Sequence, residues 1–120
     1  MAKKNTDGNK SCRITGSINI FGGKWKSEAI YFINQGSKRF NELRRLIPGV
    51  SQRMLTQQLR ELERDGIINR KQYLEIPPKV VYSMTELGKT LIPIFGELEK
   101  WTTKNIDRIQ KARSNYDKKQ

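Results

Sequence analysis

The chain has 120 residues, which is enough for one domain, and it is strongly basic. Twenty-four Lys and Arg stand against twelve Asp and Glu, so the formal net charge is +12. This excess favours a polyanionic partner, which is most often nucleic acid and less often an anionic membrane face. The single cysteine excludes an intrachain disulfide, and the absence of histidine removes the usual general base and the commonest zinc ligand. The composition therefore disfavours most enzyme classes and predicts no metal or other cofactor.

The two ends of the chain differ in composition from its middle. Residues 1–11 are rich in Lys, Asn, Asp, Gly and Ser without an apolar period, which is typical of a flexible basic arm. Residues 111–120 are similarly polar and basic and are expected to form a tail. No apolar stretch approaches the roughly 18 residues of a membrane span, and no apolar segment follows the basic N-terminus. We therefore expect one cytoplasmic domain over residues 12–110, without a membrane segment or a secretory signal.

Three short helices are predicted before residue 50. The first begins after Ser11 and ends at Gly22-Gly23, the second ends at Gly36, and the third closes at Pro48-Gly49. Apolar residues recur at helical spacing in each, which gives every helix one face for the core. These residues are Ile14, Ile18 and Phe21, then Trp25, Ala29, Phe32 and Ile33, then Phe40, Leu43, Leu46 and Ile47.

A fourth helix begins after Ser51, a residue type that caps helices well because its hydroxyl accepts from free backbone N–H groups. Its leucines recur at helical spacing, and Asp65-Gly66 ends the helix. The apolar residues of this helix are Leu55, Leu59 and Leu62.

A hairpin and one long helix complete the pattern. Residues 67–73 and 79–85 carry β-branched or aromatic residues in rough alternation around Pro77-Pro78, which predicts a hairpin. The last helix, over about residues 86–110, contains Pro93, which is expected to bend or split it. The predicted fold class is therefore mainly α with a small β-hairpin (α+β).

The third helix, its Pro-Gly turn and the fourth helix form a candidate helix-turn-helix over about residues 39–64. The hairpin at about residues 67–85 would be the wing of a winged helix. In this motif the second helix lies in the major groove, where Arg can bond a guanine, Gln an adenine, and a Thr methyl can meet a thymine methyl. An ordinary amphipathic helix with a solvated polar side remains the alternative. The DNA-binding candidates of this helix are Ser51, Gln52, Arg53, Thr56, Gln57 and Arg60.

Phosphate contacts are expected from basic residues on both sides of the fourth helix. Residues 38–71 hold nine Lys or Arg against four acids, so the basic surplus of the core is concentrated there. Each phosphate that a protein neutralises releases counterions, so affinity should fall steeply with salt. For any single residue in this set, simple solvation is an equal alternative. The candidates are Lys38, Arg39, Arg44 and Arg45 around the third helix, and Arg70, Lys71 and Lys79 in the wing.

Short motifs along about residues 12–101 resemble the HxlR-type winged helix-turn-helix regulators, and their order and spacing make the resemblance specific. In the helical part they are Gly23-Lys24-Trp25, Arg39-Phe40-Asn41-Glu42-Leu43, Ile47-Pro48-Gly49-Val50-Ser51, Met54-Leu55-Thr56 and Leu59-Arg60-Glu61-Leu62. In the wing and beyond they are Asp65-Gly66, Arg70, Tyr73, Pro77-Pro78, Val80, Tyr82-Ser83-Met84-Thr85, Glu86-Leu87-Gly88, Leu91 and Trp101.

The resemblance implies a small bacterial or archaeal transcription regulator that binds operator DNA as a homodimer held by its first and last helices. The residues themselves support part of this, because the last helix has more apolar residues than so small a domain easily covers. Completion of the monomer's own core is the alternative. A two-fold dimer would place two recognition helices roughly 34 Å apart on a palindromic site. The interface candidates are Ile14, Ile18, Leu91, Ile94, Phe95, Leu98 and Trp101.

Cys12 is the one residue with possible covalent chemistry. The start of the first helix and the neighbouring Lys10 and Arg13 would stabilise its thiolate and raise its reactivity. In the resembled family some members sense oxidants, quinones or aldehydes with a cysteine at this position, which is commonly followed by proline, whereas Arg13 follows here. Oxidation would have to form an intersubunit disulfide or an adduct, because the chain has no second cysteine. A small residue that packs against the partner subunit is the alternative.

The expected function is a sequence-specific, dimeric transcription regulator whose partners are double-stranded operator DNA, a second copy of itself and a small oxidant or electrophile. A regulator that senses a small molecule without cysteine chemistry is one alternative, with Trp25, Tyr31, Phe32 and Trp101 as a possible pocket. A non-specific DNA-binding protein that acts through charge alone is another. An enzyme is the weakest hypothesis, because the sequence has neither a phosphate-binding GxxxxGK[ST] loop nor a histidine.

Overall fold

The structure is a computed structural model that describes residues 13–119. The expectations for the arm at residues 1–11 and for Cys12 therefore lie outside the described residues. The chain divides into two compact units, of which the first ends at Lys89 and the second begins at Thr90. The first contains α1 (Arg13–Phe21), α2 (Lys24–Asn34), β1 (Lys38–Arg39), α3 (Phe40–Leu46), α4 (Gln52–Arg64), β2 (Ile68–Tyr73), β3 (Lys79–Met84) and α5 (Glu86–Lys89). The second contains α6 (Ile92–Lys119).

The predicted fold class is confirmed, with one added strand. The hairpin of β2 and β3 is antiparallel and pairs Ile68 with Met84 at one end and Tyr73 with Lys79 at the other. The added strand β1 pairs with β3, which gives a three-stranded sheet in the order β1-β3-β2. Two residues are too few to show an alternating pattern, so this strand could be found only from its tertiary pairing.

The core of the first unit lies between α2, α3, α4 and the start of the hairpin. The predicted leucines of α4 are all buried, and burial of each such side chain contributes about 1.5–3 kcal/mol. Helix α1 is different, since Ile14 and Ile18, which were expected to form its inward face, are exposed. Trp25, Phe32 and Phe40 are only half-buried. The largest fully buried side chains are Ile30, Ile33, Leu43, Ile47, Leu55, Leu59, Leu62 and Ile68.

The turn between α3 and α4 depends on a glycine in the left-handed region. Gly49 has a φ of 85°, which a residue with a Cβ adopts only with strain. Ile47 and Val50, which flank the Pro48-Gly49 turn, are buried, so both ends of the turn pack on the core. This turn sets the direction of α4 relative to α3.

Thr85 joins the end of the wing to the end of α4. Its hydroxyl donates to the carbonyl oxygens of Gly66 at 2.6 Å and of Ile67 at 3.0 Å, and it accepts from the backbone N–H of Gly88 at 2.8 Å. The donations to Gly66 and Ile67 are alternatives for one proton. Gly88 is buried, and a Cβ on it would collide with the carbonyl group of Ile67. The backbone therefore packs at a distance that only glycine allows.

Replacement of Gly88 by Ala is expected to lower the free energy of unfolding by roughly 1–3 kcal/mol, because the added methyl group must push the Ile67 backbone away. Gly96→Ala is the matched control, since a Cβ there meets no atom within 4 Å and helical Ala stabilises by roughly 0.5–1 kcal/mol over Gly. Thermal and denaturant unfolding of the two variants measures both effects. Equal stability of the two variants would contradict the packing described here.

The long C-terminal helix agrees with the prediction at its start and differs at its end. It is split, as Pro93 suggested, because α5 ends at Lys89 and α6 begins at Ile92, which places the proline in the first turn where it is tolerated. The difference is a correction, since α6 continues to Lys119 through the residues expected to form a separate tail at 111–120. Strong helix formers such as Lys111, Ala112 and Arg113 extend it, and Lys118 and Lys119 suit the negative end of the helix dipole.

Candidate nucleic-acid interface

Helix α4 begins as the sequence predicts. The Ser51 hydroxyl accepts from the backbone N–H of Met54 at 3.0 Å, which satisfies one of the free donors of the first turn. The first turn contains no acidic residue, so its positive dipole end is not neutralised from within the helix. With the hydroxyl engaged in the cap, Ser51 is first a structural residue that fixes where α4 starts.

The exposed face of α4 gathers the residues predicted to contact bases. Their side chains line one open surface groove, on the side opposite the buried leucines. The Thr56 hydroxyl donates to the carbonyl oxygen of Gln52 at 2.8 Å, which leaves the methyl group as the part free for apolar contact. The groove therefore presents guanidinium, amide and methyl groups and no carboxylate. Its residues are Gln52, Arg53, Thr56, Gln57 and Arg60.

A buried lysine forms an ion pair with the carboxylate of Glu61, next to this groove. Lys26 is 7% exposed, and its ammonium group forms an ion pair with the Glu61 carboxylate at 2.7 Å and donates to the Asn19 carbonyl oxygen at 2.9 Å. The Gln57 amide also donates to Glu61, at 3.3 Å. Lys26 therefore ties α1, α2 and α4 together and neutralises the negative charge of Glu61.

Sequence reasoning missed Lys26, which it left out of the inward face of α2. The signal was its position, because residue 26 precedes Ala29, Ile30 and Ile33 at helical spacing and so lies on the buried stripe. The partner of Lys26, Glu61, lies on another helix, 35 residues further along the chain. A charged residue on an apolar stripe indicates a partner, although sequence spacing alone does not identify it.

The ion pair predicts a pH dependence of stability. Hydrogen bonds from Lys26 and then Gln57 hold the pKa of the Glu61 carboxyl below its ordinary value of 4.5. A lowered folded-state pKa adds stability above the unfolded-state pKa, and this contribution disappears as the pH falls through the folded-state value. Glu61→Gln should therefore be less stable than the parent at pH 7, with a difference that shrinks towards pH 3. Urea unfolding across this pH range measures the difference in free energy of unfolding, with Glu63→Gln as control. A difference between the parent and Glu61→Gln that stays constant with pH would contradict the prediction.

A second groove connects the far end of α4 with the wing. Arg60 and Arg70 both line it, together with Thr56, Glu63 and the half-buried Phe40. Arg70 pairs with the buried Tyr82 across the hairpin, so its side chain is on the sheet face that packs towards the helices. The structure therefore brings this predicted phosphate contact next to α4.

The other two wing cations lie on the opposite face of the hairpin. Lys71 and Lys79 place their ammonium groups 5.0 Å and 5.1 Å from the centre of the Tyr73 ring. Cation–π contacts of this kind attract the ammonium groups to the face of the aromatic ring and so restrict the two long side chains. Tyr73, which the sequence analysis did not count as a site residue, thus holds two predicted phosphate contacts in place.

The basic residues around α3 separate into different positions. Arg39 and Arg45 line a groove with Pro77, Pro78 and Lys79, at the junction of α3 and the wing. Arg44 is exposed in the last turn of α3, and Lys38 donates to the carbonyl oxygen of Gly36 at 2.9 Å. The backbone N–H of Arg39 donates to Glu42 at 2.8 Å, which caps α3. Lys38 is therefore half-buried and engaged locally, whereas the three arginines remain accessible.

Most of the predicted dimer-interface residues are exposed, and the aromatic residues that were candidates for a ligand pocket pack against neighbouring residues in the first unit. Ile14 and Ile18 of α1 are exposed, as are Ile94, Leu98 and Trp101 of α6, whereas Leu91 and Phe95 are half-buried. Tyr31 and Phe32 contact each other edge to face at 5.1 Å, and the edge of Trp25 lies near Gly49. Within the first unit these aromatic residues therefore have packing roles. Among residues 13–119, no helix is both long and apolar enough to cross a bilayer.

Comparison with known proteins decides what this arrangement belongs to. The family model of the HxlR-like helix-turn-helix matches residues 20–110, which include the whole groove-bearing unit from α2 to α5. The chain belongs to the HxlR-like helix-turn-helix family. Members of this family are DNA-binding transcriptional regulators, not enzymes, and the recognised resemblance is confirmed.

Individual relatives agree with the family. The HTH-type transcriptional regulator YybR of Bacillus subtilis is 49% identical over 94% of this chain and 91% of its own. The redox regulator HypR in its reduced form is 47% identical, with a TM-score of 0.77 over 82% of this chain and 98% of its own. Its oxidised form is 50% identical, with a TM-score of 0.72 over 78% of this chain and 97% of its own. This HxlR-like regulator therefore shares its winged-helix fold with a protein solved in two redox states.

Proposed function

We propose that this HxlR-like regulator binds a palindromic operator as a homodimer and reads its sequence with α4. The observation that carries the proposal is the exposed face of α4, where two arginines, two glutamines and a threonine share one groove free of carboxylates. These side chains are the ones that pair with base edges in the major groove. The helix start is fixed by Ser51, so the groove has a defined position relative to the core.

Phosphate contacts on both sides would set the register of α4 on the duplex. Arg39, Arg44 and Arg45 of the α3 region and Arg70, Lys71 and Lys79 of the wing are the candidates, with Lys38 in a minor role because of its local hydrogen bond. Such contacts orient a protein without selecting sequence. The helix-turn-helix at about residues 39–64 and the wing at about residues 67–85 are thus proposed to act as one DNA-binding unit.

Dimerisation is proposed through the first and last helices. Ile14 is 78% exposed and Trp101 is 59% exposed, and a second copy would remove both from water. Ile18, Ile94 and Leu98 are exposed in the same way, and Leu91 and Phe95 border them in sequence. An isologous interface built from these residues would give a two-fold dimer and hence a palindromic site.

Selection of genomic DNA fragments with the purified protein tests the proposal. The Kd for a selected duplex should be at least about 10³-fold lower than that for a shuffled duplex of equal composition, measured by fluorescence anisotropy at 150 mM salt. A ratio below about tenfold would mean that charge alone drives binding, and it would favour the non-specific alternative. Because phosphate contacts contribute equally to both duplexes, the ratio isolates base reading from charge.

We further propose that oxidation of Cys12 controls operator binding. The support is the single cysteine of the chain and the likeness to HypR, a redox regulator with reduced and oxidised structures. In the proposed reaction a peroxide takes two electrons from the thiols of two protomers, which join as one intersubunit disulfide while the peroxide is reduced to water. The disulfide would change the angle between the two DNA-binding units.

Cys12→Ser is expected to abolish any oxidant-induced change in operator affinity while leaving the affinity of the reduced protein unchanged. Anisotropy with and without peroxide measures the change, and a non-reducing gel should show a covalent dimer in the parent only. An unchanged oxidant response in the variant would remove Cys12 from the mechanism. Failure of the parent to respond would favour a regulator that senses a ligand without cysteine chemistry.

A further inference from the structure

Helix α6 carries a stripe of basic side chains in its C-terminal half. Residues three, four or eleven positions apart lie on the same side of an α-helix, so a stripe can be followed along its length. The exposed Trp101 of the proposed dimer face lies three residues before Lys104, so the stripe begins next to that face and is basic from Lys104 onward. Its members are Lys104, Arg108, Lys111 and Lys118.

We propose that this basic stripe of α6 binds the phosphate backbone of duplex DNA, as a contact additional to those of α4 and the wing. The inference rests on the proposed function, since it assigns to the same regulator a second surface for the same partner. It concerns the backbone alone, because Lys and Arg in a line neutralise phosphates without reading bases.

The spacing and exposure of the stripe suit a polyanion. Its four side chains are exposed, and the helix rise places Lys104 and Lys118 about 21 Å apart along the axis. A duplex presents a phosphate every 3.4 Å or so on each strand, so a stretch of this length faces about six phosphates per strand. Asn115 occupies the remaining position of the stripe, between Lys111 and Lys118, and carries no opposing charge.

The acidic residues of this part of α6 border the basic stripe. Glu99, Asp107 and Asp117 share a neighbouring line with Thr103 and Gln110, and Asp107 lies three residues after Lys104 and four before Lys111. Within residues 13–119, no ion pair joins the four stripe residues to a carboxylate. The stripe therefore has charge available for an external anion.

The composition of the helix end favours DNA over a membrane surface. A helix that lies in a bilayer interface needs an apolar face along its length to insert. Residues 110–119 offer only Ala112 and Tyr116, while the basic stripe continues to Lys118. The family match ends at residue 110, so Lys111 and Lys118 also extend beyond the matched domain. Charge without apolar surface is the signature of phosphate binding.

The test relocates charge without changing its amount. The swap variant moves two cations from the basic stripe onto the neighbouring acidic line, at exposed positions. It combines Thr103→Lys with Lys104→Thr, and Gln110→Lys with Lys111→Gln. A neutralised variant, Lys104→Gln with Lys111→Gln, accompanies it. The probe is a 40-base-pair duplex of random sequence, and its Kd is measured by anisotropy between about 50 and 200 mM salt, the range over which counterion release is strong. Circular dichroism and gel filtration check that fold and oligomeric state are unchanged.

Both variants are expected to lower the slope of log Kd against log salt by about 1.8 per protomer, because each lost phosphate contact removes about 0.9. A swap variant with the parental slope would overturn the proposal, since total charge and not its position would then matter. Loss of binding to vesicles of anionic lipid in the swap variant, with an unchanged DNA slope, would overturn it in favour of a membrane. Because the probe has random sequence, failure of operator selection leaves this readout intact and distinguishes the two failures.

Discussion

A variant in which Leu98 and Trp101 are both replaced by Glu is expected to be a monomer that binds the selected operator duplex at least about 100-fold more weakly than the parent. The two side chains are 53% and 59% exposed in the single chain, and the proposed dimer buries them. Two carboxylates at the centre of an apolar interface would remain unpaired and desolvated, which no dimer of this size tolerates.

The loss of affinity follows from the loss of linkage between two half-sites. When two DNA-binding units are joined, the second binds as an intramolecular event, which raises affinity by about 10² to 10⁴-fold without any new contact. A monomer retains only the affinity for one half-site. Its binding to a duplex with a single half-site should therefore change far less than its binding to the palindrome.

Tyr31→Glu is the matched control, because Tyr31 is also 59% exposed, is aromatic and lies outside the proposed interface. Sedimentation equilibrium gives the oligomeric state of both variants, and anisotropy gives their affinities. A Leu98/Trp101 variant that remains dimeric would show that the apolar stripe of α6 does not hold the dimer. A monomer with undiminished operator affinity would contradict two-fold binding itself.

Arg53→Ala is expected to cost roughly 1–3 kcal/mol in operator binding and to relax the preference at one base pair of each half-site. Arg53 lies in the first turn of α4, on the groove shared with Gln52 and Thr56, and its guanidinium has the two parallel donors that match a guanine edge. Removal of a bidentate partner leaves all four bases nearly equivalent at that position. The effect is therefore a change in specificity as well as in affinity.

Arg44→Ala provides the contrast, because Arg44 is exposed at the end of α3, away from the α4 groove. As a phosphate contact it should weaken binding uniformly across all duplexes and lower the salt slope by about 0.9 for each protomer. Binding of both variants to a set of single-base substitutions separates the two roles. If Arg53→Ala also weakened every duplex equally, that arginine would be a phosphate contact and the assignment of α4 would lose its main support.

The elements that the sequence predicts well are those with a strong local signal. The leucines at positions 55, 59 and 62, the capping Ser51 and the glycine of the α3–α4 turn specify α4 by themselves, and the structure has all of them in these roles. The hairpin is likewise marked by its alternation and its proline turn. Local periodicity, capping and turn chemistry are properties of neighbouring residues, so a single sequence contains them.

The elements that the sequence did not reveal depend on distant partners. Strand β1 exists because Lys38 and Arg39 pair with β3, more than 40 residues away. Lys26 is buried because Glu61 and the Asn19 carbonyl meet it, and Tyr73 matters because Lys71 and Lys79 flank its ring. The extension of α6 to Lys119 has a different cause, since the polar composition of residues 111–120 predicts a tail although these residues form helix readily.

The sequence predicts the residue types of the candidate site well, but it predicts less well which of these residues lie together in the folded protein. Five of the six DNA-binding candidates predicted for this helix lie together because α4 carries them, and helical geometry fixes their common side. The phosphate candidates divide among three surfaces, with Arg70 beside α4, Lys71 and Lys79 on Tyr73, and Arg39 and Arg45 at the base of the wing. That division follows from the register of the hairpin, which only the folded sheet defines.

Methylation-protection footprinting on a selected duplex tests the central claim most directly, because it reports guanine N7 in the major groove, where α4 is proposed to lie. The account predicts two protected segments related by a palindrome, with centres about 10 base pairs apart, and loss of protection at one guanine in each segment for Arg53→Ala. A single protected segment, or protection confined to the minor groove, would contradict a two-fold regulator that reads DNA through α4.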